Sequence, residues 1–328
     1  MRTWIISLTV LALLVLPSAF AAAPTPVEVH GALRVEGNRI VGRDGKPAVL
    51  KGMSFFWSQW QGQFYNSNVV HWLKDDWNCS VVRAAVGVSS DGVLGNRERE
   101  VAKTKAVIQA AIDRGMYVIV DWHDHNARQH QAEAIAFFED IARTYGRLSN
   151  IIYEPWNEPL KDHDWSTVIK PYHEAVVAKI RAIDPDNLIV LGTQTWSQEV
   201  DKASRDRVKG TNLAYTLHFY AGTHRESLRQ KARTALANGV AIFVTEWGTG
   251  EANGAGKLDQ NETRLWWQFM DQNRLSWCNW SIADKNETTA ALLPKANPLG
   301  LWPMNEISPS GLLVRGELRR GMPSRVTP

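Results

Sequence analysis

Glu158 ends an apolar segment whose residue types predict a buried strand. Residues 151–159, IIYEPWNEP, open with two isoleucines and a tyrosine, which favour a strand. Pro159 has no backbone N–H for a sheet ladder, so we expect the strand to end with Glu158 at its C-terminal tip. A carboxyl group there either caps the next helix or takes part in chemistry, and this segment alone leaves both interpretations open.

A second glutamate has the same setting. Residues 241–246, AIFVTE, form another apolar run that ends in Glu246 and is followed by Trp247 and Gly248. Two carboxyl groups that face each other across one bond are what the hydrolysis of a glycosidic bond requires. Glu158 and Glu246 are therefore a candidate catalytic pair, provided that the fold brings the two strand ends together.

The elements around these strands alternate along the chain. Strand patterns are predicted near residues 49–53, 80–85, 117–122, 151–157, 188–191, 214–219, 241–246 and 276–280. Helical patterns lie near residues 68–76, 97–114, 131–145, 169–183, 226–238, 259–273 and 309–319, with a further short helix at 197–205. This α/β alternation predicts a (β/α)8 barrel or an open doubly wound sheet. Before it, a Pro-rich linker leads to residues 33–41, a predicted β-hairpin that turns at Gly37-Asn38.

Polar or aromatic residues stand at or near most of the predicted strand ends. In a barrel, the C-terminal ends of the strands form one face, and active sites lie there. Taken singly, Arg83 is explained as an ordinary ion-pair partner and His218 as a core histidine. The whole set is better explained by one shared site, and it comprises Arg83, Asp121, His123, Asn157, Glu158, His218, Tyr220, Glu246 and Trp280.

The run Asp121-Trp122-His123-Asp124-His125 also permits a metal interpretation, because His123 and His125 share one side of an extended chain. A catalytic zinc ion needs three protein ligands and one open position, yet Asp124 falls on the other side and the sequence has no HExxH helix. GxGxxG at a helix start and GxxxxGK[ST] are absent as well. We therefore predict neither a metal nor any other cofactor.

The net charge and the tryptophan content indicate what kind of ligand the protein binds. The net charge of +3 is too small to indicate a nucleic acid or a membrane surface. The 15 tryptophans outnumber the 9 phenylalanines and the 7 tyrosines, and a flat indole with one donor suits stacking on sugar rings. We expect a carbohydrate rather than a polyanion as the ligand.

The first 23 residues have the pattern of a secretory signal peptide. Arg2 precedes an apolar stretch at 5–16, and small-x-small cleavage sites follow at 19–21 and 21–23. We expect an exported enzyme, with a retained N-terminal anchor as the alternative, and a single catalytic domain over residues 24–328. Although export permits a disulfide, Cys79 and Cys278 fall at the second and eighth predicted strands, which are not neighbours in a barrel. We therefore expect two buried free thiols.

Several segments together resemble a known family. WNEP, LHFYAGTH, FVTEWGT, TWSQ, IKPY and ANPLG occur in this chain in the order they have in glycoside hydrolase family 5, and the chain is most similar there to the bacterial endo-β-1,4-glucanases. The resemblance implies a single α/β domain, a (β/α)8 TIM barrel with its N-terminal β-hairpin, and a retaining double displacement. It also implies a secreted monomer that acts on β-1,4-glucan polysaccharides and cello-oligosaccharides, with no membrane partner once the signal is cleaved.

The resemblance also implies roles for individual residues. Glu158 matches the family's acid/base and Glu246 its nucleophile. The residues that match contacts to the sugar beside the cleaved bond, or neighbours of the two carboxyl groups, are Arg83, His123, Asn157, His218, Tyr220 and Trp280, the last often followed by a cis peptide in the family. The residues that match contacts to more distant sugars are Trp60, Trp196, Lys285 and Glu287.

Three positions depart from the family pattern. Phe56 replaces a frequent histidine, Gly87 a frequent tyrosine, and Pro155 an aliphatic residue. None touches the catalytic pair, but Phe56 and Gly87 leave other β-1,4 polysaccharides open as substrates: mannan, xylan or xyloglucan. A non-catalytic sugar-binding module is the alternative from another class, and it would need the tryptophans but not both glutamates.

Glu154 has the same parity as Glu158, so in a regular strand both would point into the barrel about 13 Å apart. An unpaired charge at the deeper position is costly, so we expect Glu154 to pair with a buried cation or to keep its proton. Arg83 is a possible partner.

Overall fold

The computed structural model describes residues 23–320, and the predicted signal peptide lies outside this range except for Ala23. The first element of this described range is a short helix, α1 (Pro26–His30), where we expected a linker. A capping box starts it: the Thr25 hydroxyl accepts from the backbone N–H of Glu28, and the Glu28 carboxylate accepts from that of Thr25. The predicted hairpin is confirmed as β1 (Arg34–Glu36) paired antiparallel with β2 (Arg39–Val41).

The predicted barrel is confirmed. Eight parallel strands close on themselves, because the last strand pairs with the first. The barrel strands are β3 (Lys51–Phe55), β4 (Val81–Gly87), β5 (Tyr117–His123), β6 (Ile151–Glu154), β7 (Ile189–Leu191), β8 (Leu213–Tyr220), β9 (Ile242–Gly248) and β10 (Ser276–Ile282).

The predicted helices are present, with ends shifted by a few residues. They are α2 (Ser67–Asp75), α3 (Val93–Asp113), α4 (Gln131–Tyr145), α5 (Lys170–Arg181), α6 (Val200–Arg205), α7 (Glu226–Ala237), α8 (Gln260–Asn273) and α9 (Pro309–Leu318). A π-helical turn, Trp165–Ile169, leads into α5. Since each helix packs an apolar face on the outside of the strands, the main core forms a ring around the barrel.

The barrel interior is apolar at one end and charged at the other. Near the N-terminal ends of the strands, Tyr117, Ile119 and Ile152 pack with Leu33 and Ile40 of the hairpin, so the hairpin closes that end. Towards the C-terminal ends, the same inward parity places Arg83, Asp121 and Glu154 in the interior with their side chains fully buried. The apolar layer supports the charged layer, which lies directly beneath the expected active-site face.

Strand β6 ends earlier than predicted. The sequence placed Glu158 at the strand tip, but the strand ends at Glu154, because Pro155 has no N–H for the ladder with β7. The chain then leaves the sheet: the N–H of Asn157 donates to Trp122 O at 3.2 Å and that of Glu158 to Asp124 O at 3.4 Å. Glu158 therefore lies on a loop held against the end of β5, and its position does not follow from strand geometry.

A β-bulge in β9 changes which side chains face the interior. Thr216 pairs with Phe243 and His218 with Glu246, so β9 uses three residues where β8 uses two. Because of the extra residue, both Thr245 and Glu246 reach the barrel interior, although they are consecutive in sequence.

The two cysteines are free and buried, as predicted. Cys79 precedes β4, whereas Cys278 lies on β10, and β3 separates these two strands in the barrel. Within residues 23–320, helices long and apolar enough to span a bilayer are absent.

Candidate active site

Arg83 connects three carboxyl groups beneath the C-terminal face. Its Nε lies 2.7 Å from Oε2 of Glu154, its Nη1 2.9 Å from Oε2 of Glu246, and its Nη2 3.0 Å from Oδ2 of Asp121. The predicted pairing of Glu154 with a buried cation is thus confirmed. A fully buried guanidinium is stable only when paired in this way, so these contacts also fix the position of Arg83.

Glu246 is held as an anion at both oxygens. Arg83 donates to Oε2 at 2.9 Å, and the hydroxyl of Tyr220 donates to Oε1 at 2.7 Å. Burial raises the pKa of Glu246 above its usual value, and the charge of Glu158 adds to this, while His218, Arg83 and Tyr220 oppose it. A carboxylate oriented by a cation and a phenol is suited to attack rather than to proton donation.

Glu158 accepts hydrogen bonds from two histidines. His218 Nδ1 lies 2.9 Å from Oε1, and His125 Nε2 lies 3.2 Å from Oε2. Burial alone would raise the pKa of Glu158, but the hydrogen bonds from His125 and His218 outweigh it and lower the pKa to about 2. In the unliganded site, therefore, the nearest exchangeable protons are carried by the imidazoles.

The contacts of His218 show that its ring is doubly protonated. Nδ1 meets Glu158, and Nε2 lies 3.0 Å from Thr245 Oγ1, whose own proton is donated to Glu154 at 2.6 Å. Both ring nitrogens therefore act as donors. Burial opposes the positive charge, but Glu246, Glu154 and Glu158 together raise the pKa of His218 to about 9.

The two predicted catalytic carboxyl groups lie close together. A carboxylate oxygen of Glu158, one of Glu246 and a ring nitrogen of His218 all lie within 4.8 Å of one another. Retaining glycosidases separate their two carboxyl groups by about 5–5.5 Å, whereas inverting enzymes leave about 6.5–9.5 Å for a water molecule. The separation observed here matches the retaining geometry.

Asn157 and His123 form the side of the site next to Arg83. Arg83 Nη2 donates to Asn157 Oδ1 at 2.5 Å, which leaves the amide NH₂ of Asn157 as a donor, 3.4 Å from His123 Nε2. His123 Nδ1 lies 2.6 Å from Asp121 Oδ2. Burial, and then the charge of Arg83, lower the pKa of His123 well below its usual value, so the ring is neutral and donates to Asp121.

A cavity of about 590 Å³ opens above the carboxyl pair. Its lining includes Glu158, His218, Tyr220 and Glu246, together with His125, Thr195, Trp196, Gln198, His224, Ala252 and Asn253. Trp196 stands in a tight turn, Gln194–Ser197, in which Thr195, Trp196 and Ser197 all have left-handed backbone angles. The turn is fixed to the Glu158 loop, because Trp196 N donates to Pro159 O and the Ser197 hydroxyl to Asn157 O.

The remaining predicted residues form a second group around Phe56. Trp280 packs on Phe56 with ring centroids 5.0 Å apart and stacks on His123 at 5.1 Å, and the Trp280–Ser281 peptide is cis. The ammonium of Lys285 lies 4.3 Å above the Phe56 ring and pairs with Glu287 at 2.7 Å. Trp60 is 53% exposed and donates its indole N–H to Asp91 at 2.7 Å.

The structure also explains two of the departures from the family pattern, Gly87 and Pro155. Where the family often has a tyrosine, a side chain on Gly87 would meet the Gln59 amide, whose Oε1 lies 1.6 Å from the position of a Cβ, so Gln59 occupies that space. Pro155 ends β6, and its carbonyl accepts from the hydroxyl of Tyr172 at 2.8 Å.

Two residues of the site did not emerge as site residues from the sequence. His125 was weighed only as a metal ligand, although its period-two spacing with Asp121 and His123 was a usable signal for one shared face. Thr245 was not singled out, although it has the same inward parity on β9 as Phe243, because the sequence did not show its hydrogen bond to Glu154. Within residues 23–320, Glu158, His218 and Glu246 are also the one group of donors close enough together for a metal ion, and the absence of a metal from the reaction remains a prediction.

A closed parallel barrel with two carboxyl groups at this separation on its C-terminal face defines the architecture of a retaining glycosidase. Residues 41–286 match the family model described as cellulase, glycosyl hydrolase family 5. The chain belongs to glycosyl hydrolase family 5, as its motifs indicated.

Known proteins of this family are similar over most of the chain. Endoglucanase Z of Dickeya dadantii is 52% identical over 271 residues, which are 81% of this chain and 63% of that protein. The chain thus spans less than two thirds of that relative. A solved structure from Cytophaga hutchinsonii is 51% identical, with a TM-score of 0.90 over 90% of this chain and 97% of the other. The catalytic domain of Thermobifida fusca endoglucanase Cel5A, in complex with cellotetraose, is 30% identical, with a TM-score of 0.86 over 90% of this chain and all of that domain.

Proposed function

We propose that this protein is an endo-β-1,4-glucanase that hydrolyses internal bonds of cellulose and mixed-linkage β-glucan with retention of configuration. The observation that carries the proposal is the approach of Glu158 and Glu246 to within 4.8 Å in an open cavity. The endoglucanase names of similar proteins and the cellotetraose bound to one of them support the choice of substrate.

The first step forms a covalent glycosyl-enzyme. An oxygen of Glu246 attacks the anomeric carbon while the bond from that carbon to the glycosidic oxygen breaks, and Glu158 delivers a proton to the departing oxygen. Arg83 and Tyr220 hold Glu246 in the orientation for attack. The amide NH₂ of Asn157, oriented by Arg83, is available as a donor to a sugar hydroxyl.

The second step releases the sugar. Glu158, now a carboxylate, takes a proton from water, the water oxygen bonds to the anomeric carbon, and the ester to Glu246 breaks. In the resting site His218 and His125 hold protons 2.9 Å and 3.2 Å from the two oxygens of Glu158, so one of these protons passes to Glu158 before the first step and returns to the imidazole after the second. Each turnover returns one proton to Glu158 and leaves Glu246 ionised, so the cycle is closed.

The proposed substrate supports a location outside the cytoplasm. A polysaccharide does not cross a cell envelope, and the pattern of residues 1–23 predicts a signal peptide. We propose a secreted monomer with one catalytic domain over residues 24–328 and β-1,4-glucans and cello-oligosaccharides as its ligands.

A substrate panel tests the proposed function. Purified protein is incubated with carboxymethyl cellulose, mixed-linkage β-glucan, glucomannan and xylan, and reducing ends and viscosity are followed together. We expect the viscosity of carboxymethyl cellulose to fall well before much reducing sugar appears, because the exposed Trp60 and Trp196 lie on two different loops and so extend the binding surface beyond the carboxyl pair. Preferential release from glucomannan or xylan would favour the alternative substrates, and binding to cellulose without any release would favour a sugar-binding module.

The stereochemical course tests the assignment of Glu246. Proton NMR of fresh hydrolysate from cello-oligosaccharides should show the β-anomer first, because a pair this close leaves no room for a water between carboxylate and sugar. An initial α-anomer would make Glu246 a general base instead of a nucleophile.

The variant Glu158→Gln tests the proposed acid/base role of Glu158. Hydrolysis of cellulose should fall by roughly 10²–10⁴-fold, since general acid catalysis contributes about that factor. An aryl cellobioside with a good leaving group needs no acid, so its first step should persist, and azide should accelerate its turnover by replacing water at the anomeric carbon. Equal losses on both substrates with no azide response would assign the acid/base role to a different residue.

A further inference from the structure

Each oxygen of Glu158 accepts a hydrogen bond from a different histidine. His218 donates to Oε1 at 2.9 Å and His125 to Oε2 at 3.2 Å. To act as an acid, Glu158 must direct a proton-bearing oxygen at the glycosidic oxygen. The oxygen that carries this proton becomes a donor and a weak acceptor, so the hydrogen bond that it receives from a histidine weakens when Glu158 is protonated.

The two histidines differ in how firmly they are held. His218 lies on β8 with its side chain 2% exposed, and its second nitrogen is fixed by Thr245 at 3.0 Å. His125 follows the end of β5 in a loop, its side chain is 38% exposed, and it lines the cavity directly. Its ring meets Trp57 edge-on, with centroids 5.7 Å apart.

We propose that His125 is a positioning residue for Glu158. Its hydrogen bond aims Oε2 at the cavity before the substrate arrives. When the leaving-group sugar binds, His125 releases Oε2, which then faces that sugar. The proposal rests on the proposed acid/base role of Glu158. His218 retains Oε1 throughout, so the carboxyl group keeps its orientation while the oxygen that faces the substrate becomes free.

The charges around His125 make the contact dependent on pH. Glu158 on the β6 loop, Glu246 on β9 and Asp124 on the adjoining residue face it as anions, while His123 on β5 and His218 on β8 are the nearby imidazoles. Burial opposes the charge of His125, but the hydrogen bond and charge of Glu158, followed by Glu246 and Asp124, raise the pKa of His125. A cation at this position favours loss of protons from its neighbours, so its removal should shift the activity profile to higher pH.

The test compares two substitutions of His125. His125→Leu removes both the donor and the charge, whereas His125→Gln retains a neutral donor. With cellopentaose, His125→Leu should lose about tenfold in kcat with little change in KM, and both limbs of its pH profile should move upwards. His125→Gln should recover most of the kcat but keep the shifted profile. On an aryl cellobioside with a good leaving group, both variants should retain nearly the wild-type first step.

His130→Gln is the matched control. His130 lies in the same loop region, and its Nδ1 pairs with Asp124 at 2.7 Å, so the variant removes a nearby histidine without removing a donor to Glu158. We expect its pH profile and its ratio of activities on the two substrates to match the wild type. Thermal melting of all three variants within a few degrees of the wild type shows that they are folded.

Two results would overturn the proposal. One is a His125→Leu enzyme with the wild-type pH profile and wild-type kcat on cellopentaose. The other is an equal loss on cellopentaose and the aryl substrate, which would show a structural effect unrelated to proton donation. If the wild-type enzyme is active, either result contradicts the role of His125 and leaves the proposed function unaffected. If the wild-type enzyme is inactive on every β-1,4-glycan, the proposed function itself is wrong.

Discussion

Arg83 determines the electrostatics of the site because one buried cation is shared among three carboxyl groups. Burial raises the pKa of Asp121 well above its usual value, and the guanidinium of Arg83 offsets this only in part, since Glu154 and Glu246 add negative charge. Glu154 is fully buried and does not line the cavity, and Arg83 and Thr245 are its hydrogen-bond partners. It acts by holding Arg83, which in turn orients Glu246.

Glu154→Gln should therefore reduce stability. The change leaves Arg83 without one of its buried partners, and breaking such a pair costs roughly 3–5 kcal/mol. Urea unfolding measures the loss. The control Glu36→Gln removes an exposed pair with Arg34 and should change the free energy of unfolding by less than about 1 kcal/mol. Azide rescue of Glu154→Gln, with none for Glu158→Gln, would exchange the roles assigned to these two glutamates.

The proton on His218 should make stability depend on pH. The pKa of His218 is raised from 6.5 in the unfolded chain to about 9 in the fold, so its contribution is fully present below pH 6.5 and is lost as the pH rises towards 9. The shift corresponds to roughly 3 kcal/mol. Urea unfolding at pH 6, 7.5 and 9 should show this decline, and His218→Gln should flatten it. An equal slope in both proteins would assign the decline to other groups.

Two elements place the catalytic glutamates, and each departs from regular geometry. The loop after β6 carries Glu158 away from the sheet, and the left-handed turn at Gln194–Ser197 holds that loop through the carbonyls of Pro159 and Asn157. The bulge in β9 turns Glu246 towards Arg83. Regular strands would leave these two side chains on different levels or faces, so the irregularities are what bring the pair together.

The close packing of β3 and β4 gives a prediction at the scale of the element. A Cβ on Gly52 would lie 1.7 Å from the backbone oxygen of Val81, its partner across the two strands. Because backbone cannot move aside cheaply, Gly52→Ala should cost more than about 4 kcal/mol or prevent folding.

Gly316→Ala is the matched control for this variant. Gly316 lies inside α9 with open space around its Cβ position, so alanine should stabilise the helix by about 1 kcal/mol. The denaturant midpoint should be lower than that of the wild type for Gly52→Ala and higher for Gly316→Ala. A mild effect of Gly52→Ala would mean that the spacing of β3 and β4 can relax.

At the scale of the whole molecule, the barrel separates stability from chemistry. The apolar layer and the hairpin lie at one end, and the carboxyl groups, histidines and cavity lie at the other. This separation allows a dense set of charges at the active end, because the folded state is supported by the ring of core between strands and helices.

Chelation tests whether the site works through side chains alone. Glu158, His218 and Glu246 are close enough to bind a metal ion, but their donor atoms already make hydrogen bonds to one another, to Arg83, to Tyr220 and to His125. Hydrolysis of β-glucan should therefore be unchanged by EDTA. Loss of activity that zinc restores would make these three residues metal ligands and would replace the mechanism proposed above.

The sequence by itself determined the barrel and the identity of the main groups. Strand and helix periodicities are local properties, so the eight strands and the hairpin were readable, while the choice of a barrel over an open sheet came from the family motifs. The family motifs added Glu158, Glu246 and the residues around them. The need of Glu154 for a buried cation was also predictable, because strand parity placed it inside, and Arg83 was one possible partner that the structure then identified.

Only the tertiary structure decided where the decisive atoms lie. The early end of β6, the bulge in β9 and the left-handed turn at Gln194–Ser197 each break the periodicity on which parity arguments depend. Thr245 and His125 enter the site through contacts between residues distant in sequence, which depend on how strands and loops pack against one another. Periodicity fixes which side of an element a residue faces. The approach of two carboxyl groups to within 4.8 Å is instead set by the packing of several elements at once.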